Sequence, residues 1–147
     1  MNSPNFIGLY FYSIDVKNRL AIPAKIRLFL SPKKELILSC GLEGCLSLYP
    51  SDAWTKLREK LELAPLKDKS EQRAFKRMLF ASACAVEFDE EGRILIPQPL
   101  VDYAQLKNNV AIIGMGQKIE IWAKHLWLNY EKKEQIVFLV GYTYFLF

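Results

Sequence analysis

Apolar positions along the chain alternate with polar ones in a way that occurs twice. Segments 6–14 ("FIGLYFYSI") and 83–88 ("ACAVEF") are rich in aromatic and β-branched residues, which is typical of β-strands. Each runs into a short polar stretch followed by "RLAI" or "RILI", so each half of the chain predicts a hairpin. Further on, "ELILSCGLEGCLSLYP" and "NVAIIGMGQKIEIW" predict a second hairpin in each half, turning near residues 41–44 and 114–117.

Helical spacing fills the segments between and after these hairpins. Pro23 and Pro97 are predicted to lie in the first turn of a short helix, where a missing N–H costs nothing. Residues 51–82 predict two helices that join the halves, and a last helix is predicted from residue 124. The predicted fold class is therefore α+β, with a β-β-α-β-β module present twice, connecting helices and a C-terminal helix.

The two halves are copies of one module. Four residues of the first hairpin recur at an offset of 74, so that Asp15, Arg19, Ile22 and Pro23 correspond to Asp89, Arg93, Ile96 and Pro97. Downstream the offset is 73, which indicates that one residue was lost in a connection. The predicted domains are a first module at 5–50, a helical connector at 51–82, a second module at 83–123, and a C-terminal helix with an apolar tail at 124–147.

The repeated turn has a chemistry of its own. The residue before the arginine is Asn18 in one copy and Gly92 in the other, and both residue types tolerate the positive φ that a tight turn needs. An aspartate at the start of such a turn accepts backbone N–H bonds and holds the loop in shape. The arginine is then presented from a rigid base, where it can bind phosphate or the O6 and N7 of guanine. A hairpin whose aspartate and arginine only pair with each other is the alternative on the same spacing.

Composition and charge narrow the classes of function. The 147 residues are 51% hydrophobic and carry a net charge of +4, enough apolar content for a buried core. The net positive charge lies in segment 1–34, where six basic residues accompany Asp15 as the one acidic residue, and such an asymmetry favours a polyanion-binding face. No apolar run of membrane-spanning length and no secretory signal is recognised, so no membrane partner is predicted and the cytoplasm is the expected location.

Enzyme and metal chemistry are weakly supported. Cys84 and His125 are the residues from which a catalytic dyad could be built, but no orienting third residue or oxyanion motif accompanies them. A zinc site from Cys40, Cys45, Cys84 and His125 has poor spacing, and no glycine-rich phosphate loop is present. We therefore expect no enzyme activity, no metal, no cofactor and no small-molecule substrate.

The stretch "FIGLYFYSIDVKNRLAIPAKIR", with a second D-x-x-x-R turn and an "IP" sequel in both copies, resembles the MraZ family. The resemblance covers roughly residues 5 to 135. It implies the swapped-hairpin fold of AbrB and MazE proteins, here as tandem modules that form an internal pseudo-dimer. It also implies a bacterial transcriptional regulator, associated with the nucleoid, that assembles into a homo-oligomeric ring. Such a ring binds short G-rich direct repeats of double-stranded DNA in the promoter of the division and cell-wall gene cluster.

The resemblance also implies which residues contact DNA. The matched motif positions and their turn neighbours are Asp15, Lys17, Asn18, Arg19, Asp89, Gly92 and Arg93, with Lys17 as a phosphate contact. The first turn, "DVKNR", sums to +1 and the second, "DEEGR", to −2. Because phosphate repels the second turn, the first is predicted to dominate binding.

Three further features of the sequence bear on the turn, on assembly and on partners. Asn18 stands where the family usually has glycine, which the turn tolerates. Strand 6–14 is apolar on both faces, which predicts a closed homo-oligomer. The tail "IVFLVGYTYFLF" is apolar where family tails are polar, and it is predicted to add a strand or to pack against a neighbouring subunit. An antitoxin-like protein-interaction module that uses this tail is the alternative function.

Overall fold

The computed structural model describes residues 5–30, 35–63 and 69–146. Its strands are β1 (Leu9–Ser13), β2 (Arg19–Ala21), β3 (Leu36–Cys40), β4 (Leu46–Pro50), β5 (Cys84–Val86), β6 (Arg93–Leu95), β7 (Asn109–Gly114) and β8 (Ile119–Ala123). Its helices are α1 (Ala24–Arg27), α2 (Ser51–Leu63), α3 (Lys69–Ser82), α4 (Gln98–Tyr103), α5 (Lys124–Lys133) and α6 (Gln135–Leu146), with a 3₁₀ turn at Leu42–Gly44. Helices and strands are mixed as the sequence predicts, and none of the helices described is long and apolar enough to cross a bilayer.

Strands from the two halves pair with each other. A six-stranded antiparallel sheet has the order β1-β7-β8-β4-β3-β5, and β2 and β6 form a separate two-stranded sheet. Thus β1 of the first half pairs with β7 of the second, and β5 of the second half pairs with β3 of the first. The local hairpin expected between β1 and β2 is reduced to one bridge, Ile14 to Leu20. Instead, β1 forms its ladder with β7 and β2 forms its ladder with β6, both in the other half.

The register relates the halves symmetrically. In the β2–β6 pair, Leu20 lies opposite Ile94, its own counterpart in the repeat. In the second hairpin of each half, Cys40 pairs with Leu46 and Gly114 with Ile119. The connecting turns are therefore residues 41–45 in the first copy and 115–118 in the second, which locates the one-residue difference in this turn.

The core lies between the two sheets and anchors the repeated motif. Leu20 and Ile22 follow the first turn, Ile94 and Ile96 follow the second, and all four are at most 1% exposed. They belong to one buried cluster with residues of both halves, among them Leu38 and Ile112. Because Arg19 and Arg93 each adjoin a buried residue, burial of that neighbour fixes the direction in which the arginine leaves the backbone.

The prolines after the repeated strands lie one position earlier than predicted. Pro23 and Pro97 are the N-caps of α1 and α4 and do not lie in the first turn. Their ψ angles of 139° and 145° are extended, and the carbonyl of Pro23 accepts the N–H of Ile26 at 2.9 Å. A proline with extended ψ can start a helix through its carbonyl without entering it.

The apolar tail forms a helix, so the prediction that it adds a strand is wrong. Helix α6 is apolar on all sides, and exposed side chains include Phe138 at 66% and Phe145 at 82%. A helix satisfies the backbone polar groups of a charge-free segment within the segment itself, whereas a strand requires a partner edge. Packing of this helix against a neighbouring subunit stays a prediction.

Candidate nucleic-acid interface

The first repeated turn is built around the carboxylate of Asp15. Its Oδ1 accepts the backbone N–H groups of Lys17 and Arg19, each at 2.9 Å. Its backbone carbonyl accepts the N–H of Asn18 at 3.0 Å, and Asn18 has the positive φ of 62° that the turn requires. The predicted use of the aspartate as the organiser of this loop is thus present in the structure.

Arg19 projects from this loop with its terminal nitrogens available. Nε of Arg19 donates to Oδ2 of Asp15 at 2.7 Å, and both side chains are about one-third exposed. The aspartate–arginine pairing considered from the spacing therefore exists, but it uses one nitrogen of the guanidinium. In the described part of the chain, the two terminal nitrogens have no hydrogen-bond partner. A fork of this kind suits bidentate recognition of phosphate or guanine.

The second turn repeats this arrangement. Oδ1 of Asp89 accepts the N–H groups of Glu91 and Arg93 at 2.9 Å each, and Oδ2 accepts Nε of Arg93 at 2.8 Å. Gly92, with φ of 76°, occupies the position of Asn18 and donates its N–H to the Asp89 carbonyl at 3.1 Å. The two sequences, which differ at every position between aspartate and arginine, thus give one backbone geometry.

The electrostatic surroundings of the two arginines differ. Nη2 of Arg93 donates to Oε2 of Glu91 at 2.7 Å, and Nη1 lies 4.0 Å from Oδ2 of Asp15. The hydrogen bond to Asp89, helped by the nearby carboxylates, raises the pKa of Arg93. Lys17 stands where the second turn has Glu91, so the first turn brings a cation to the position that holds an anion in the second.

The two aspartates are ionised at neutral pH. Backbone hydrogen bonds from Arg19 and Arg93 are the largest causes that hold the pKa values of Asp15 and Asp89 below their usual range. Donation from the arginine side chains acts in the same direction. Both carboxylates therefore remain acceptors, and the turns keep their shape across the physiological pH range.

Backbone hydrogen bonds link each turn to the residue that follows the short strand of the other half. The N–H of Ile22 donates to the carbonyl of Gly92 at 3.1 Å, and the N–H of Ile96 donates to the carbonyl of Asn18 at 2.8 Å. These bonds connect equivalent positions of the repeat in opposite directions. As a result, the seven residues predicted as the site lie on two turns that flank the short β2–β6 sheet, with Nη1 of Arg93 4.0 Å from Oδ2 of Asp15. Gly92 is the buried member of this set.

Two further residues contact the turns and were not predicted. Arg27 of α1 donates from Nε to the Ile22 carbonyl at 2.9 Å, and its guanidinium covers Gly92 of the other half. A Cβ on Gly92 would lie 2.5 Å from Nη1 of Arg27. Gln98 of α4 accepts from Nδ2 of Asn18 at 2.9 Å and donates to Asp102 at 2.8 Å. The cationic side chain of Arg27, from the first half, thus lies on the acidic second turn.

The repeat alignment contained a signal for these contacts. At the offset of 74, Arg27 corresponds to Val101 and Gln98 to Ala24. Polar residues of one copy thus replace apolar residues of the other, next to a motif that both copies keep. Such a mismatch indicates a contact made in one half only.

The residues considered for enzyme or metal chemistry lie elsewhere. Cys84 is in β5 at one edge of the sheet, whereas His125 is in α5, which packs against β7 and β8. Burial raises the pKa of the Cys84 thiol and raises that of Cys45 to about 12, so neither is a thiolate at neutral pH. Within residues 5–30, 35–63 and 69–146, no three His, Cys, Asp or Glu side chains are grouped to hold a metal ion.

Comparison with known families agrees with the duplicated turn. The family described as "MraZ protein, putative antitoxin-like" matches residues 6–78 and again residues 79–138. The chain belongs to the MraZ family. It contains two MraZ domains, and the resemblance seen in the sequence is confirmed.

Relatives from three bacteria extend this match over most of the chain. The "Transcriptional regulator MraZ" of Acetivibrio thermocellus is 44% identical over 131 residues, covering 89% of this chain and 90% of the relative. The protein of the same name from Clostridium beijerinckii is 43% identical over 127 residues, covering 86% and 87%. That of Heliobacterium modesticaldum is 41% identical over 128 residues, covering 87% of each chain. MraZ proteins are not enzymes, so membership of the family confirms that expectation for this chain.

Proposed function

We propose that this chain is a DNA-binding transcriptional regulator that recognises G-rich direct repeats in double-stranded DNA through its two D-x-x-x-R turns. The observation that supports this proposal is the pair of adjacent turns, each with an arginine leaving a loop held by a carboxylate. The relatives named as transcriptional regulators favour the same function. The proposed target is the promoter of the division and cell-wall gene cluster, and the proposed location is the nucleoid.

The proposed roles of the site residues follow from their geometry. Arg19 would read guanine, because its free terminal nitrogens match the O6 and N7 acceptors in the major groove. Lys17, exposed on the same turn, would contact phosphate. Asp15 and Asn18 would act through the shape of the loop. On the second turn, Asp89 and the buried Gly92 would likewise act through the shape of the loop. Arg93 would form the corresponding second contact, weaker because of the acidic residues beside it.

The strand pairing supports the finer fold proposal. The first strand of each half pairs with a strand of the other half, β1 with β7 and β5 with β3, and β2 pairs with β6. We therefore assign the chain to the swapped-hairpin folds of AbrB type, with its two modules as an internal pseudo-dimer. In this arrangement one chain carries the two turns that a single-module protein obtains by dimerising.

A ring-shaped homo-oligomer is proposed from the exposed face of segment 6–14, which contains β1. Phe6 is 1% exposed, whereas Ile7 is 69% and Phe11 is 46% exposed. One chain therefore covers one face of this segment and leaves the other open to water. Contiguous apolar surface of this kind marks an interface, and a closed assembly would cover it in every copy.

The experiment that tests this function is a binding titration. The purified protein is titrated with the DNA upstream of its own gene, with a fragment in which the G-rich repeats are scrambled, and with unrelated DNA of equal length. Preference for the intact repeats at about 150 mM salt, where surface charges are screened as in the cell, supports the proposal. Equal affinity for all three fragments contradicts it, because phosphate contacts alone do not distinguish sequences.

An antitoxin-like interaction module is the second candidate, and α6 is the observation that favours it. The helix is apolar and exposed, with Ile136 at 74% and Phe145 at 82%. Helix-in-groove recognition uses such a segment. The test looks for a toxin gene beside this gene and measures binding of its product by the full chain and by a chain truncated after Gln135, and absence of such a gene counts against this function. Binding that survives truncation contradicts this role for the tail.

A further inference from the structure

The guanidinium of Arg93 is surrounded by acceptors from its own protein. Nε donates to Asp89 at 2.8 Å, Nη2 donates to Glu91 at 2.7 Å, and Nη1 lies 4.0 Å from Asp15. Arg19 has the equivalent position in the first turn. Among the described residues, its guanidinium bonds to Asp15 and to no other side chain. Before any DNA binds, the guanidinium of Arg93 therefore has more acidic partners than that of Arg19.

We propose that Glu91 is a positioning residue that competes with DNA for Arg93. The second turn therefore contributes less than the first to sequence-specific binding. This inference rests on the proposed function of the turns. Bidentate contact with guanine requires two N–H groups of the guanidinium fork, and the Glu91 carboxylate occupies one terminal nitrogen. Glu91 thus competes with a base for the fork, because it uses one of the N–H groups that Nη2 of Arg93 can donate.

The competition is weak enough to be reversible. The Glu91 side chain is 67% exposed, so solvent screens its ion pair with Arg93, which is 28% exposed. Surface ion pairs contribute little to stability, and their removal is easily tolerated. Glu91 therefore reduces the contribution of Arg93 without abolishing it, and its substitution leaves the fold intact.

The first turn supplies the internal comparison. At the position of Glu91 it carries Lys17, whose ammonium cannot accept from Arg19. The backbone N–H at both positions is held by the turn aspartate at 2.9 Å, so the side chain alone differs. Substitution at position 91 therefore changes the state of Arg93 without changing the loop.

Glu90 provides a matched control. It is the neighbouring carboxylate on the same turn and is exposed, and among the residues described the ion pairs of Arg93 are with Asp15, Asp89 and Glu91. Removal of either glutamate charge reduces repulsion of phosphate to a similar extent. Removal of the Glu91 charge alone weakens the bond that holds Nη2 of Arg93, because a glutamine oxygen still accepts but carries no charge.

The test compares wild type, Glu91→Gln, Glu90→Gln, Arg93→Ala and the double variant Arg93→Ala/Glu91→Gln in titrations against intact and scrambled repeats. Glu91→Gln is expected to bind the intact repeats about twofold to fivefold more tightly than wild type, the range for removal of one surface ion pair. Its preference for intact over scrambled repeats should also increase. Glu90→Gln should tighten binding to both DNAs alike, with no change in preference.

The double variant decides whether Glu91 acts through Arg93. If it does, Glu91→Gln gives no increase in preference when Arg93 is already alanine. An increase that persists in that background, or equal effects of Glu91→Gln and Glu90→Gln, overturns the inference while the proposed function stands. A wild-type protein without preference for the repeats overturns the proposed function and this inference together.

Discussion

Nη1 of Arg93 lies 4.0 Å from Oδ2 of Asp15, although the two residues belong to different halves of the chain. The approach is possible because β2 and β6 pair antiparallel over three residues only, so the two turns at opposite ends of that two-stranded sheet stay close to each other. Asp15 thus adds negative potential to the guanidinium of the other turn. A change of charge in the first turn therefore alters the electrostatic potential at the arginine of the second.

Substitution of Arg19 should separate recognition from folding. Arg19→Ala removes a partly exposed side chain that bonds to the Asp15 carboxylate, so thermal unfolding should change little. Preference for G-rich repeats should fall by about 1–3 kcal/mol for each guanine that Arg19 reads, and avidity in a ring would multiply this effect. Titration against intact and scrambled repeats measures this, with Arg93→Ala expected to have a smaller effect. A variant that keeps the wild-type preference shows that the first turn is scaffold.

Substitution of Lys17 should give a different signature. The backbone N–H of Lys17 bonds to Asp15, and this bond survives Lys17→Ala because it does not use the side chain. Removal of a phosphate-binding cation should weaken binding to intact and scrambled DNA equally and lower the salt slope by about 0.9 per phosphate. The measurement is affinity at several salt concentrations, with Lys107→Ala as a control outside the turns. An unchanged slope contradicts the phosphate role of Lys17.

Gly92 should tolerate alanine less well than other glycines of positive φ. Gly92→Ala strains a residue at φ 76°, which costs roughly 1–2 kcal/mol, and its Cβ would meet Arg27 Nη1 at 2.5 Å. Gly116→Ala is the control, because φ is 81° there and an added Cβ meets nothing within 4 Å. Chemical denaturation should show a larger decrease in stability for Gly92→Ala. In an Arg27→Ala background, Gly92→Ala and Gly116→Ala should decrease stability to the same extent. If Gly92→Ala costs as much stability with Arg27 present as without it, the Arg27 side chain moves aside and the predicted clash is absent.

The turns could be predicted from sequence because their determinants are local. The bonds from Lys17 and Arg19 to Asp15 span at most four residues, so spacing alone specifies them. Contacts between halves could not be predicted in the same way. Arg27 reaches Gly92 because the strands pair across halves, and an alternating pattern is the same whether a strand pairs locally or with a distant partner.

The tail illustrates a second limit of the sequence. Residues 136–146 are apolar without period, and a short apolar run of this kind is compatible with a strand or a buried helix. Its aromatic content favours a strand, whereas the hydrogen bonds available within the segment favour a helix. The structure has a helix, in which Thr143 Oγ1 also donates to the Leu139 carbonyl at 3.0 Å.

The carboxylates of the turns should titrate at low pH. Because backbone hydrogen bonds lower the pKa of folded Asp15 below the ordinary value of 3.8, ionised Asp15 contributes stability that is fully present above its unfolded pKa. That contribution disappears as the pH falls through the folded pKa. Carbon-13 NMR titration of the side-chain carboxyls should give pKa values below 3.8 for Asp15 and Asp89. Values at or above 3.8 contradict the hydrogen bonding described for the turns.

Removal of the apolar helix should weaken assembly and leave the fold of each chain unchanged. Truncation after Gln135 removes a helix that packs against α5 and otherwise faces water, so far-UV circular dichroism should lose only the signal of α6. If α6 contacts a neighbouring subunit, sedimentation velocity at micromolar concentration should show smaller species than the full chain. Phe145→Glu, at a position 82% exposed, should act in the same direction, because a buried unpaired charge is costly at an interface. An unchanged oligomer with higher solubility in both variants indicates that α6 takes no part in assembly.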